Sequence, residues 1–351
     1  MPRPLRIAQV APILYPVPPT LYGGTERMIS YLTEALVEAG QEVTLFASGD
    51  SVTTARLVSV RPTCLAAQGS PDPLPVCIAH LAEVRRRMAD FDILHLHDSG
   101  FSALGFQDRS ARTVTTLHMS LEWPDTTAAF RAMPDMPLVS ISECQRHPYP
   151  EGHWAGTIYH GIPADLYRFS PRPEGHLAFL GRLSATKQPH EAIRIAQATG
   201  HTLFLAGPPE HPQDPYFVQS VAPHLAGPGV RYLGELDDRR KDGLLGSAKA
   251  LLFPIAWEEP FGLVMIEAMA TGTPVIAYRR GAAPEVVEDG VTGFVVDSFE
   301  EAVAAVGRLD RLDRATIRRR FEERFSAKRM AADYIALYRS RLERAGLALA
   351  P

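Results

Sequence analysis

Twice along this chain, short apolar runs alternate with amphipathic stretches, and that rhythm leaves few folds open. In the first half, Leu5-Arg6-Ile7-Ala8-Gln9-Val10, Val43-Thr44-Leu45-Phe46, Ile93-Leu94-His95-Leu96, Val114-Thr115-Thr116-Leu117 and Leu138-Val139-Ser140-Ile141 read as strands. Met28, Leu32, Leu36 and Ala39 form one helical stripe between the first two. The rhythm stops between Gly161 and Gly175, where Pro163, Pro171 and Pro173 interrupt any regular element. It resumes in Leu177-Ala178-Phe179-Leu180, Leu203-Phe204-Leu205-Ala206, Val230-Arg231-Tyr232-Leu233, Ala250-Leu251-Leu252-Phe253, Pro274-Val275-Ile276-Ala277 and Phe294-Val295-Val296. Strands alternating with helices predict parallel, doubly wound sheets. The expectation is therefore two α/β domains, 1–165 and 166–328, followed by an amphipathic helix over 329–351 with Met330, Tyr334, Leu337, Tyr338 and Leu342 on one stripe. At 351 residues the chain suits two cores better than one. A ligand site is expected in the cleft between such domains.

Composition narrows the function classes. An apolar fraction of 46% with 22% charged residues is that of a globular enzyme, and a net charge of −4 argues against nucleic acid as a partner. Cys64, Cys77 and Cys144 are scattered and form no Cys-x-x-Cys pair, which predicts free thiols. No apolar signal core and no run of about 18 apolar residues is present. A cytoplasmic location without an integral membrane segment is the expectation.

The segment Glu258-Glu259-Pro260-Phe261-Gly262-Leu263-Val264-Met265-Ile266-Glu267 carries the most specific chemistry. On one regular helix Glu259 and Glu267 would lie about 12 Å apart. A carboxylate pair acting as acid and base on one glycosidic bond needs about 5–10 Å. Pro260 and Gly262 instead place Glu259 in a loop and Glu267 in the helix that follows, a spacing suited to two ends of a long ligand.

Other groups gather where strands end. The turn Tyr22-Gly23-Gly24-Thr25-Glu26-Arg27 can bring backbone N–H groups to an anion, or can simply cap a helix; its pattern is not the dinucleotide Gly-x-Gly-x-x-Gly. Gly181-Arg182-Leu183-Ser184-Ala185-Thr186-Lys187 puts two cations on the edge of a sheet where α/β folds bind ligands. Arg182 can grip a diphosphate through two N–H groups and Lys187 can add a point charge; the alternative is a solvated surface pair. His118 ends a strand, placed to bond a hydroxyl or phosphate or to serve structure alone. His95, His97 and Asp98 have no third metal-ligand spacing, which favours a structural role for the two imidazoles. Arg85-Arg86-Arg87 and Arg318-Arg319-Arg320 read as solvated helix faces, with a dock for anionic lipid heads as the sharper alternative. Asp90-Phe91-Asp92 has Asp-x-Asp spacing but precedes its strand, away from the ligand edge.

Together these residues resemble glycosyltransferase family 4, retaining, nucleotide-sugar-dependent enzymes of GT-B fold. The match spans nearly the whole chain, including Tyr159-His160-Gly161-Ile162-Pro163 and Pro284-Glu285-Val286-Val287-Glu288-Asp289-Gly290. His160 stands where the family often has Asn. The resemblance implies two Rossmann-like domains facing across a cleft, with the closing helix crossing back onto the first. It implies that Arg182, Lys187 and Gly24, beside Gly23, serve the donor diphosphate, and Glu259 the donor sugar. Phe261, Gly262 and Leu263 would offer amides to sugar and phosphate, Glu267 would bind the ribose, Leu236 would lie near the base, and His118 near the sugar 6-hydroxyl. His118, Arg182, Lys187 and Glu259 form the expected catalytic group. The implied activity is hexosyl transfer from an NDP-sugar, a UDP-sugar foremost, to an unidentified small-molecule, glycan or lipid acceptor. No cofactor and no metal is expected, and peripheral membrane contact stays open. Rival readings are a nucleotide-sugar epimerase or glycogen-synthase-like enzyme on the same architecture, and a non-catalytic two-lobed sugar-binding module.

Overall fold

A computed structural model describes residues 3–21, 23–97 and 100–349. The chain divides into two compact units, one of Met1–Pro163 with Ala327–Pro351, the other of Ala164–Ser326.

The first unit holds a sheet of 7 strands in the order β3-β2-β1-β4-β5-β6-β7, every pairing parallel. These are β1 (Arg6–Val10), β2 (Glu42–Phe46), β3 (Arg56–Val58), β4 (Ile93–Leu96), β5 (Thr113–Thr116), β6 (Leu138–Ser140) and β7 (Trp154–Thr157). The central strands are buried on both faces, which is why they read as continuous apolar runs rather than alternating ones. Strands β3 and β7 are edge strands that the apolar rhythm does not reveal: Arg56 is exposed, and all four residues of β7 are half-buried.

The second unit repeats the pattern with a sheet of 6 strands, β10-β9-β8-β11-β12-β13, again wholly parallel. Its strands are β8 (Leu177–Leu180), β9 (Leu203–Ala206), β10 (Val230–Tyr232), β11 (Ala250–Phe253), β12 (Val275–Tyr278) and β13 (Gly293–Val296). In each unit the order reverses beside the unit's first strand, between β1 and β4 and between β8 and β11. Such a reversal sends the two flanking loops apart at the carboxyl ends of the strands and opens a crevice there.

Helix Gly24–Glu38 buries Met28, Leu32 and Leu36 of the stripe expected from sequence, with Ile29 and Ala35 beside them, whereas Ala39 lies past the helix end and is exposed. The closing helix Ala327–Arg344 packs against it and buries Met330, Tyr334, Tyr338 and Leu342. No described helix is long and apolar enough to cross a membrane. Cys64, Cys77 and Cys144 are free thiols.

The basic run Arg318-Arg319-Arg320 departs from a uniformly solvated face. Arg318 donates to the carbonyls of Ala164, Tyr167 and Ala270, so its charge satisfies three main-chain acceptors inside the second unit. Arg85 likewise donates to both carboxylate oxygens of Asp108 at 2.8 and 2.9 Å, and to the Gly105 carbonyl.

Candidate active site

In the second unit, the loops after β8 and β11 flank the reversal of strand order. The β8 loop carries Arg182 and Lys187; the β11 loop carries Trp257 and Glu259. They meet at one carboxylate. Glu259 is buried, and its Oε2 accepts from Lys187 Nζ and from the Trp257 indole N–H, the latter at 2.8 Å. The Lys187 ammonium also lies 5.2 Å from the Trp257 ring centre. Arg182 stays further out, 3.1 Å from Glu210 Oε1.

Two glycines seat these loops. A side chain at Gly281, where φ is +53°, would lie 2.2 Å from the Glu259 carbonyl oxygen; one at Gly207 would lie 1.9 Å from that of Gly181. Gly281 N–H also donates to Glu258 Oε2 at 2.7 Å, and Ala282 N–H to the Glu259 carbonyl at 2.9 Å. The Glu259 loop is thereby held along its main chain.

Glu259 stands in the loop and Glu267 in helix Leu263–Ala270, with Gly262 at the N-cap. Phe261 is buried, its ring edge-on to Phe325 at 6.1 Å. Glu267 Oε1 accepts from the buried Tyr167 hydroxyl at 3.1 Å and lies 3.7 Å from Lys241 Nζ. The helix start, with its partial positive charge, thus lies in sequence between two glutamates each matched to a lysine. Leu236 follows β10, and its side chain belongs to a core cluster with Ala178, Ala206, Leu244 and Ala248.

In the first unit, Gly23 caps helix Gly24–Glu38 at a φ of 138°. Beside it Glu26 is buried, and burial raises its carboxyl above the ordinary value. The carboxyl ends of β1, β4 and β5 converge on imidazoles. His95 accepts from the Tyr338 hydroxyl at Nδ1 and reaches Thr116 Oγ1 from Nε2, each at 2.7 Å. His97 Nε2 meets Gln9 Oε1 at 2.5 Å, and His97 Nδ1 meets His118 Nε2 at 3.0 Å. His118 stacks on His160 with ring centres 5.3 Å apart. Burial holds His95, His97 and His160 well below the ordinary imidazole value and brings His118 to about 4. All four are neutral near pH 7.

Sequence reading pairs His95 with His97 but leaves His118 and His160 apart; the row they form with Gln9, Tyr334 and Tyr338 escapes it. The parallel register Gln9↔His95 and His95↔Val114 is the signal that brings them together, and it exists only once strand order is known. Asp98 lies outside the described residues. Among those described, no group of three or more His, Cys, Asp or Glu side chains is placed to hold a metal ion. Asp92 sits at the start of β4, where it accepts from Arg6 N–H at 2.8 Å and pairs with Arg3.

Comparison with known proteins places this geometry. The family model "Glycosyl transferases group 1" matches residues 169–325, and "Glycosyltransferase Family 4" matches residues 22–142. The chain belongs to glycosyltransferase family 4. A phosphatidyl-myo-inositol mannosyltransferase of Mycobacterium leprae is 26% identical over 345 residues, 90% of each chain. A glycogen synthase of Mycobacterium tuberculosis is 33% identical over 188 residues, 51% of this chain and 44% of that one. Among solved structures, AviGT4, a glycosyltransferase involved in avilamycin A biosynthesis, superposes with a TM-score of 0.73 at 26% identity, covering 97% of this chain and 98% of that one. The two parallel sheets and the closing helix against Gly24–Glu38 are the GT-B fold of this glycosyltransferase.

Proposed function

We propose that this family 4 enzyme transfers a hexosyl group, with retention at the anomeric carbon and without a metal, from an NDP-sugar to an acceptor hydroxyl. A UDP-sugar is the first donor to test. The observation that carries the reading is the pair of charge clusters carried by the loop before helix Leu263–Ala270 and by the helix itself: Glu259 with Lys187 and Trp257, and Glu267 with Tyr167 and Lys241. One suits sugar hydroxyls, the other a ribose diol, and the N–H groups of the helix start suit the phosphates between them.

In this reading the bond from the anomeric carbon to the diphosphate breaks and a bond to the acceptor oxygen forms. The acceptor's proton is released and negative charge collects on the departing nucleoside diphosphate. Arg182, Lys187, the Gly23-Gly24 turn and the amides of Phe261, Gly262 and Leu263 stabilise that charge. Leu236 stands by the base, its side chain in the core and its main chain the contact. His118 bonds a sugar hydroxyl.

The activity of the Mycobacterium leprae mannosyltransferase favours a mannosyl donor as a second reading, since that enzyme aligns over nine-tenths of the chain. A panel of UDP-glucose, UDP-galactose and GDP-mannose, scored for nucleotide release and then for products by mass spectrometry, tests both. An isomerised sugar without transfer would point to an epimerase, and donor binding without turnover to a sugar-binding module. Turnover that vanishes with EDTA and returns with Mg²⁺ would overturn the metal-free reading.

A further inference from the structure

Three histidines, a glutamine, a threonine and two tyrosines form one hydrogen-bonded row in the first unit, with His160 stacked on its last ring, more than burial of a strand end requires. Gln9 and His95 are fully buried, and His97 is nearly so. Their partners determine where the protons lie. Gln9 Oε1 can only accept, so His97 Nε2 carries the proton of their 2.5 Å bond. A neutral His97 then has a bare Nδ1, and His118 Nε2–H donates to it across 3.0 Å. A neutral His118 has one ring proton, already used, which leaves Nδ1 as a lone-pair acceptor. That atom is enclosed by protein and has no hydrogen-bond partner among the described residues. The far end of the row agrees. Gln9 Nε2 donates toward His95 Nδ1 at 3.4 Å, Tyr338 donates to the same nitrogen, and His95 Nε2–H donates to Thr116 Oγ1, which itself bonds Tyr334. Of the ring nitrogens in the row, His118 Nδ1 alone is left without a partner among the described residues.

We propose that Gln9 and His97 are positioning residues that hold His118 as its Nε2–H tautomer, so that its bare Nδ1 accepts a hydrogen bond from a hydroxyl of the bound sugar. An unmatched acceptor enclosed in protein costs about 1–3 kcal/mol, which a sugar O–H relieves. The ligand class follows. A neutral hexosyl donor offers a proton at this position, whereas a uronate offers a carboxylate whose lone pairs face that of Nδ1. The row thus selects neutral sugars over uronates. This rests on the proposed contact between His118 and the donor sugar.

Long-range ¹H–¹⁵N correlation spectra of ¹⁵N-histidine-labelled enzyme, with His118 identified through His118→Asn, read the tautomer directly. A bare Nδ1 and protonated Nε2 are expected at pH 7.5, with the Nδ1 signal moving when the donor turned over in the panel is added. Kinetics supply the second arm. His97→Leu should lose about tenfold or more in donor kcat/KM and yield mixed His118 tautomers. His97→Asn, whose Oδ1 still accepts, should recover most of both. UDP-glucuronate should not be turned over. A wild-type spectrum with the proton on Nδ1, as a Gln9 amide turned end for end would impose, overturns the proposal even if the variants fail to fold. So does a His97→Leu enzyme with unaltered tautomer and kinetics. If instead His118→Ala turns over donor as fast as wild type, the sugar contact itself is wrong; an impaired His118→Ala beside an unaffected His97→Leu removes only the relay.

Discussion

Glu259 shows how much one carboxylate can be constrained. Both donors that reach it, Lys187 and Trp257, bind the same oxygen, Oε2. The carboxylate plane is thereby fixed by a rigid indole rather than by a long flexible ammonium alone, and in the proposed site Oε1 is the oxygen that meets the sugar. Trp257→Phe keeps the ring above Lys187 and removes the N–H. We expect kcat to fall about tenfold with NDP affinity unchanged, the loss of one hydrogen bond to a charged group. Stopped-flow turnover beside calorimetry separates the two quantities. The second glutamate should behave differently. Glu267→Ala should weaken binding of bare NDP at least about tenfold, by the same kind of loss, while Glu259→Ala should leave it near wild type. Equal weakening in both would contradict the assignment of sugar to one and ribose to the other.

Strands and loops divide by legibility. All eleven runs read as strands begin and end within a residue of the observed elements because both faces of these parallel sheets are buried, and four of them, Ile93–Leu96, Leu177–Leu180, Leu203–Ala206 and Ala250–Phe253, match residue for residue. Edge strands Arg56–Val58 and Trp154–Thr157 carry no such run and stay invisible. The candidate donor residues were legible through Pro260 and Gly262 and through the placing of cations after a strand. The histidine row was not, because its members come from residues 9 to 338 and meet only through sheet register and the closing helix. Gly281 belongs to neither class; nothing in its sequence context marks it. Gly281→Ala should displace the Glu259 loop, since an added Cβ meets main-chain atoms that have no rotamer to yield. We expect kcat to drop by about two orders of magnitude, comparable to losing a preorganised charge stabiliser. Circular dichroism should stay native, because the loop is not a sheet strand. Full activity in the variant would show that the loop position is not critical.

At the scale of the whole molecule, buried neutral histidines make stability depend on acidity. His118 and His80 are brought to about 4 by burial, His80 despite a bond to the Ala11 carbonyl, and His95, His97 and His160 lie well below the ordinary value. Unfolded, each binds a proton near the ordinary imidazole value of 6.5, so below that pH the unfolded chain holds more protons than the folded one. Stability contributed by these groups is present above 6.5 and is lost as pH falls toward about 4. The raised carboxyl of Glu26 works in the opposite sense at the acid end of that window and offsets a small part. His80 and His118, each brought from 6.5 to about 4, contribute on the order of 1 kcal/mol or more apiece across the fall, and the other three act in the same direction. Denaturation midpoints at pH 7.5, 6.5, 5.5 and 4.5 should decline steadily; a flat profile would mean that the row carries charge in the folded state.

The first unit is discontinuous along the chain: it runs to Pro163, yields to the whole of the second unit, and is completed by Ala327 onward. On the ribosome, the second unit therefore has every one of its strands before the first unit has Tyr334 and Tyr338. Until those two phenols arrive, His95 and Thr116 lack the partners that the finished molecule gives them. A chain halted after Ser326 should protect the amides of β8–β13 from hydrogen exchange while those of β1, β4 and β5 exchange faster than in the complete protein. The last helix is in that sense a latch on synthesis: the half of the enzyme made first is the half finished last.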